Sequence, residues 1–270
     1  MILEIIGLSV VFETNCGDRV AVRDASLAIA PGERLALMGE SGCGKTVLAM
    51  AVLGLLPQNV RVTGSIRFEG CEILNSREVP KLRGRRLAVC WSNAERFFDP
   101  VMTVGVQIAE AYRVHHPGDR SQAKEITLAL LKRLGFKDPD DAYRRYPFQL
   151  SGGMNQRAMI AMSLINNPHL LIVDEPTRGL DDRNRYLVIE ALLDIREASL
   201  FVITHDLDLV SKIAGRFLVM KRGEIIDRGT CSDRRIRSDH PYTRRLVDCS
   251  FSSWEEKGVG CLSQTDREFK

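Results

Sequence analysis

The chain has 270 residues, of which 44% are apolar and 27% charged, with a net charge of +3. That composition fits a soluble globular protein with a sizeable core, and it excludes a disordered chain. No run approaches the roughly 18–20 apolar residues of a membrane span, and so small a charge does not mark a nucleic-acid binder. Seven scattered cysteines without a C-x-x-C pair point to reduced thiols in the cytoplasm. The start, MILEIIGLSVVFE, carries acids and no basic lead, and reads as a first strand rather than a secretory signal. Alternation over 3–12 and 25–29 predicts antiparallel strands, and PGE at 31–33 predicts the turn into the strand RLALM. GSIRFEG at 64–70 reads as a short strand between turns, and LAVCW at 87–91 as a buried one. Over 93–150 the pattern turns helical: AKEITLALLKRLGF sets Ile126, Leu130, Leu131 and Leu134 on one face, with charge opposite. Strand-like runs return at 170–174, 200–204 and 217–220, alternating with helices, which predicts a mostly parallel α/β sheet.

GESGCGKT at 39–46 completes the spacing G-x-x-x-x-G-K-[ST] directly after RLALM. A phosphate chain needs consecutive backbone N–H groups aimed into one concavity, and glycines permit the tight turn and the close approach. The helix expected from Lys45 adds its positive dipole end, and Lys45 adds a full charge on the β- and γ-phosphates. Thr46 offers a hydroxyl to Mg²⁺. Gly39, Glu40, Ser41, Gly42, Cys43, Gly44, Lys45 and Thr46 are therefore the candidate cradle of a nucleoside triphosphate. Cys43 sits there by tolerance, not as a nucleophile.

HLLIVDEP at 169–176 ends an apolar strand in two carboxylates. Adjacent acids in that place are also ordinary helix-capping residues. With a phosphate loop upstream they become candidates for chemistry, Asp174 at the magnesium through a water and Glu175 on the attacking water. His205 ends the apolar run FVIT; a lone histidine there is usually structural, but it is the third polar residue at one sheet edge. In LSGGMNQR at 150–157, Ser151, Gly152 and Gly153 stand where a helix should start, exposing N–H groups and a hydroxyl to an anion. One cradle is already present, so a second anion-binding helix end needs another phosphate.

The phosphate loop, LSGGMNQR, LLIVDEPTRGLD and VITHD, in this order and spacing, closely resemble the ATP-binding subunits of ABC transporters. The resemblance covers nearly the whole chain. It implies a P-loop NTPase fold of ABC type: a mostly parallel sheet core, an antiparallel β subdomain and an inserted helical subdomain. The corresponding boundaries are 1–92 for the core with its antiparallel part and phosphate loop, 93–152 for the helical subdomain, 153–255 for the remaining core and 256–270 for a polar tail. Such subunits form a head-to-tail sandwich around two ATP molecules. By resemblance, Ser151, Gly152, Gly153 and Met154 contact the γ-phosphate held by the opposite subunit, and GLDD at 179–182, with Asp181, lies across the dimer interface. Glu175 is then the general base or water-positioning acid, His205 the switch histidine, Thr46 and Asp174 the magnesium residues, and Phe12 the aromatic against adenine.

VVFET near the start, FFDPVMTVGVQIAEA, YPFQLSGGMNQR and the late HPYTRRLV look like the peptide/nickel importer branch. Its members pair with a second ATPase under two membrane permease subunits, fed by an extracytoplasmic substrate-binding protein, at the cytoplasmic face of the membrane. The short tail and Arg96 resemble the nickel or metal-chelate subgroup, and isolated Cys249 and Cys261 carry no iron–sulfur site. Where the family has a magnesium-touching glutamine, alignment on FFDP gives Ser92, which can still ligate through its hydroxyl but is too short to span the same gap. The expected function is an ATP-hydrolysing importer subunit. The alternatives are a weakly hydrolytic or regulatory subunit beside an active ATPase and, without the basic surface or coiled-coil insertions it would call for, an ABC-type ATPase acting on nucleic acid.

Overall fold

The structure, a computed structural model, describes residues 1–255 other than 16, 119 and 234, with side chains through residue 248 of the last helix. The expected polar tail, Cys261 and the side chain of Cys249 lie outside the described residues. Strand β1 (Leu3–Thr14) pairs antiparallel with β2 (Gly17–Ile29), from Leu3↔Ile29 to Thr14↔Gly17. Strand β3 (Arg34–Met38) runs into the phosphate loop, and helix α1 (Lys45–Val52) leaves it. Strands β4 (Val60–Phe68) and β5 (Cys71–Glu72) complete a four-stranded antiparallel sheet in the order β2-β1-β4-β5. Helix α2 (Val79–Leu82) and strand β6 (Leu87–Cys90) lead to the helical segment, α3 (Val104–Arg113), α4 (Arg120–Arg133) and α5 (Pro139–Arg144), and then to α6 (Gly152–Leu164). The chain continues through β7 (Leu170–Asp174), α7 (Asp182–Leu193), β8 (Ser199–Thr204), α8 (Leu207–Ile213), β9 (Arg216–Lys221), β10 (Glu224–Ser232), β11 (Arg235–Arg237) and α9 (Pro241–Glu255).

The second sheet runs β11-β10-β9-β3-β8-β7-β6. Strands β9, β3, β8, β7 and β6 are mutually parallel, so their C-terminal ends share one edge. The hairpin β10–β11 adds antiparallel strands that the apolar-run reading passes over. Its sequence, EIIDRGTCS and RIR, lies half-exposed and therefore keeps charged residues in place of a continuous apolar run.

Strand alternation sorts the core into two clusters, one on each face of this sheet. Leu35, Leu37, Leu170, Ile172, Phe201 and Ile203 face the cluster shared with α1 and the antiparallel sheet. Ala36, Met38, Leu171, Val173, Leu200 and Val202 face the cluster shared with α3, α6 and α8. A period of two along each strand produces this partition directly. In α4, Leu131 and, just past its end, Leu134 are buried as the helical pattern predicts, Ile126 and Leu130 are half-buried, and Ala123 and Thr127 fill the rest of the face. At the end of α4, Arg133 forks onto Asp194 and Glu197 beyond α7, tying the helical segment to the sheet layer. Burial alone would raise the Glu197 carboxyl, but Arg133 brings it down to about 2.

Candidate functional site

The parallel edge gathers the ends of β3, β7, β8 and β6, and with them most of the residues singled out in the sequence. The phosphate loop begins at Gly39 and reaches Gly44, both with φ in the left-handed half of the map, at 153° and 112°. A Cβ on Gly39 would come within 2.2 Å of the Met220 carbonyl oxygen, and one on Gly44 within 2.3 Å of the Ala21 carbonyl oxygen. Both positions therefore need glycine for space as well as for φ. Between them, Gly42 (φ 79°) turns the loop, Glu40 and Ser41 are exposed, and Cys43 is buried. Burial pushes the Cys43 thiol up, outweighing the Lys45 ammonium nearby, which suits a tolerated side chain and not a nucleophile.

Helix α1 starts at Lys45 with no side-chain cap. Its first-turn N–H groups have no acceptor within the helix and point out of its N-terminus. Lys45 is 5% exposed, and its ammonium donates to the carbonyl oxygens of Gly39 and Glu40, both at 2.8 Å. A buried cation held by neutral carbonyls and, at 3.7 Å, the Cys43 sulfur is an anion site by its own electrostatics.

Thr46 Oγ1 donates to Asp174 Oδ2 at 2.9 Å, joining the loop to the end of β7. Asp174 is 4% exposed, and its other oxygen, Oδ1, is buried without a partner. Burial pushes this carboxyl up, with the Glu175 charge acting the same way. A hydroxyl and an orphaned carboxylate oxygen, both hard oxygen donors, fit a cation of the Mg²⁺ type.

Glu175 adopts φ 47°, a rare conformation for a side chain with a Cβ, and its N–H donates to the Ile203 carbonyl at 2.8 Å. Such backbone strain costs roughly 1–3 kcal/mol and persists where the surroundings fix it. Here the carboxylate is fixed by Thr204 Oγ1 at 3.2 Å and by His205 Nδ1 at 2.9 Å. The hydrogen bond to Glu175 raises the His205 pKa above its ordinary value. Asp206, next in the chain, caps α8 and receives a two-pronged bond from Arg185 of α7 at 2.9 and 2.7 Å, and another from Thr177 at 3.0 Å. Burial alone would raise Asp206, but Arg185 holds it below the usual carboxylate range. Thr204 and Arg185 escape a motif reading. Thr204 looks like a β-branched strand residue, and Arg185 lies on a helix with no periodic signal.

Other expected residues lie apart from this group. Ser151 caps α6, accepting the Met154 N–H at 3.3 Å. Gly153 packs so tightly on Asn184 that a Cβ would meet its side chain at 2.3 Å, and a Cβ on Gly152 would touch Leu180 at 3.6 Å. Asn184 is held in turn by Asp181, the exposed cap of α7, through both carboxylate oxygens. So 151–154 and 179–184 form one unit, built against each other. Phe12 lies on β1 opposite Arg19 and Val60, half-buried against the second core cluster, two residues along the ladder from the Ala21 that abuts Gly44. Ser92 follows β6, whose Cys90 pairs with Val173, so it sits just beyond the level of Asp174. It does not reach Asp174 Oδ1, which has no partner. The preceding carbonyl, of Trp91, is instead taken by Gln156 of α6 at 2.9 Å.

Residues 22–178 match the sequence family described as ABC transporter. Over 235 residues the chain is 38% identical to the metal-staphylopine import system ATP-binding protein CntD of Staphylococcus aureus, covering 85% of this chain and 87% of that protein. Over 252 residues it is 40% identical to the dipeptide transport ATP-binding protein DppD of Haemophilus influenzae, covering 91% of this chain and 76% of that protein. Among solved structures its fold matches the ATP-binding cassette MJ0796, a dimer in a post-hydrolysis state bound to ADP and phosphate, with TM-score 0.76 and 22% identity over 85% of this chain and 99% of that one.

The Glu175–His205 contact has a defined pH dependence. A histidine raised by a carboxylate keeps its charge pair fully below about pH 6.5 and loses it as pH climbs through the raised value. NMR titration of the His205 ring should give a midpoint above that of a free histidine, and Glu175→Gln should move it down. An unchanged midpoint in the variant would contradict the pairing.

Proposed function

The chain belongs to the ABC transporter family, and on that premise we propose that it is the ATP-hydrolysing subunit of an importer of the peptide or metal-chelate type. The observation that carries this reading is the convergence, on one sheet edge, of a buried unneutralised lysine, an orphaned carboxylate oxygen and a strained, doubly held glutamate. The relatives named for metal-staphylopine and dipeptide import support the transport assignment. Among the described residues no helix is long and apolar enough to cross a membrane. In the proposed assembly this chain lies at the cytoplasmic face of two membrane permease subunits, with an extracytoplasmic substrate-binding protein delivering the cargo.

In this reading Lys45 leaves the Gly39 and Glu40 carbonyls for the β- and γ-phosphate oxygens of ATP, while the loop N–H groups cradle the chain of phosphates. Phe12 lies against the adenine. Thr46 and Asp174 would hold Mg²⁺, which when bound neutralises charge on the phosphate oxygens. Glu175 orients the attacking water and accepts its proton, and Thr204 and His205 keep its carboxylate in place before nucleotide arrives. The cap formed by Ser151, Gly152, Gly153 and Met154 serves the γ-phosphate of a second cassette, with Asp181 beside it at the junction.

A specific observation favours a second reading. Ser92 follows β6 where a longer glutamine would reach the metal, so this half-site would hold a metal and its water with one contact fewer. In that case the chain is a slow or regulatory member of a pair, and the partner cassette does most of the hydrolysis.

Lys45→Ala should weaken ATP binding by about ten- to a hundredfold, since a charge-assisted hydrogen bond is worth roughly 1.5–3 kcal/mol. Calorimetry checks this, and an unchanged affinity would sink the assignment of the loop. Ser92→Gln should raise ATP turnover of the reconstituted transporter with little change in affinity. The ceiling is about 10²–10³, the value of one preorganised donor, and water filling the gap lowers it. Turnover that stays put while uptake per ATP shifts favours the second reading. If neither moves, Ser92 does not serve the metal.

A further inference from the structure

Among the segments quoted from the sequence, HPYTRRLV is assigned no task by this mechanism. In the structure it forms the start of α9, and that start is fastened in place. Thr243, fully buried, donates to Asp227 Oδ2, Ser238 donates to the same oxygen at 2.5 Å, and the Tyr242 N–H donates to His240 Nδ1 at 3.2 Å. From this base the Tyr242 hydroxyl donates to Glu40 Oε1 at 2.5 Å. The Lys221 ammonium stands 4.3 Å from the centre of the same ring. Burial, and after it the hydrogen bond to Glu40, push the Tyr242 phenol above its usual range, so it remains a donor at neutral pH.

Glu40 is the second residue of the phosphate loop, and its backbone carbonyl is one of the two that hold Lys45. A free carboxylate at that position adds negative charge beside a polyphosphate, which opposes binding. Held on Tyr242, with the Lys221 cation against the ring, the carboxylate is fixed on the α9 side and partly compensated.

We propose that Tyr242 is a positioning residue for nucleotide binding, whose hydroxyl holds the Glu40 carboxylate on α9 and away from the phosphates of ATP. This rests on the reading of residues 39–46 as an ATP cradle. The segment 238–243 thereby becomes part of the nucleotide site without touching nucleotide, and the final helix is mechanically joined to the phosphate loop.

The test is calorimetry of Mg-ATP binding to the full chain and three variants, Tyr242→Phe, Glu40→Gln and the double substitution. Phenylalanine keeps the ring, its packing and the Lys221 contact and removes only the hydroxyl. Tyr242→Phe should raise Kd about three- to tenfold, the size of a water-screened repulsion between the released Glu40 carboxylate and a phosphate. Turnover at saturating ATP should stay within about twofold, because the residue acts on binding and not on the water. In the Glu40→Gln background the same change should have less than about a twofold effect, since the charge to be restrained is gone. Loss of one exposed bond should lower the thermal midpoint of the nucleotide-free chain by no more than a few degrees, so the affinity change is read on a folded protein. Equal affinities of wild type and Tyr242→Phe would overturn the proposal, as would an equal loss in both backgrounds. Failure of the wild-type chain to bind Mg-ATP at all would instead overturn the reading of the loop, and the proposal with it.

Discussion

A lysine ammonium that is 5% exposed and meets two peptide carbonyls and the Cys43 sulfur, with no carboxylate hydrogen-bonded to it, is an expensive group to bury. The chain tolerates it because the backbone around Lys45 leaves no alternative. Gly39 is pressed against the Met220 carbonyl and Gly44 against that of Ala21, so the loop is clamped between the β9–β10 turn and the antiparallel sheet. A further bond, from the Gly223 N–H to the Cys43 carbonyl at 2.9 Å, closes the clamp. The positive charge is thus preorganised before any anion arrives, at a cost borne by the packing of both sheets. The other groups of the site are placed relative to that charge. Thr46 carries it to Asp174, and the level ends of β7 and β8 carry it on to Glu175 and His205.

The two halves of the arrangement differ in kind. The group around Lys45, Asp174 and Glu175 is bound together by direct contacts, from Thr46 to Asp174 and from His205 to Glu175. The cap at 151–154 is bound to 179–184. Arg185, four residues past the Asp181 cap, reaches Asp206 beside His205 and so joins the second group to the first through α7. That bridge is only partly exposed and doubly hydrogen-bonded, which makes it worth more than the scattered surface ion pairs. A change at either group is therefore felt at the other through one helix.

Much of this was legible in the residues themselves. Apolar alternation in RLALM, LLIVD and SLFVIT both announces the strands and dictates which side chain meets which face. The loop spacing names its own chemistry, and Ser151 stands at the helix start its sequence predicts, whereas the Asp181 cap of α7 is not read from the residues. The hidden parts depend on long-range contacts. Nothing local to Glu175 announces a left-handed backbone, because the cause is the Ile203 carbonyl on the neighbouring strand. The β10–β11 hairpin is too polar to register as core strand, and the bond from Tyr242 to Glu40 joins residues 202 apart in sequence. Ser92 is the reverse case. Its place just after β6 follows from chain order, while its distance from Asp174 is set by the fold.

In the proposed function a complete site takes the Lys45 group of one chain and the Ser151 cap of another. Size-exclusion of the Glu175→Gln variant, alone and mixed with the second ATPase of its transporter, with and without Mg-ATP, addresses it most directly. In the proposed mechanism this substitution spares binding and stops water activation, so an assembly that ATP closes should accumulate. The account predicts ATP-dependent association in at least one mixture, abolished by adding Lys45→Ala. A chain that binds Mg-ATP and yet stays monomeric in every mixture would contradict it.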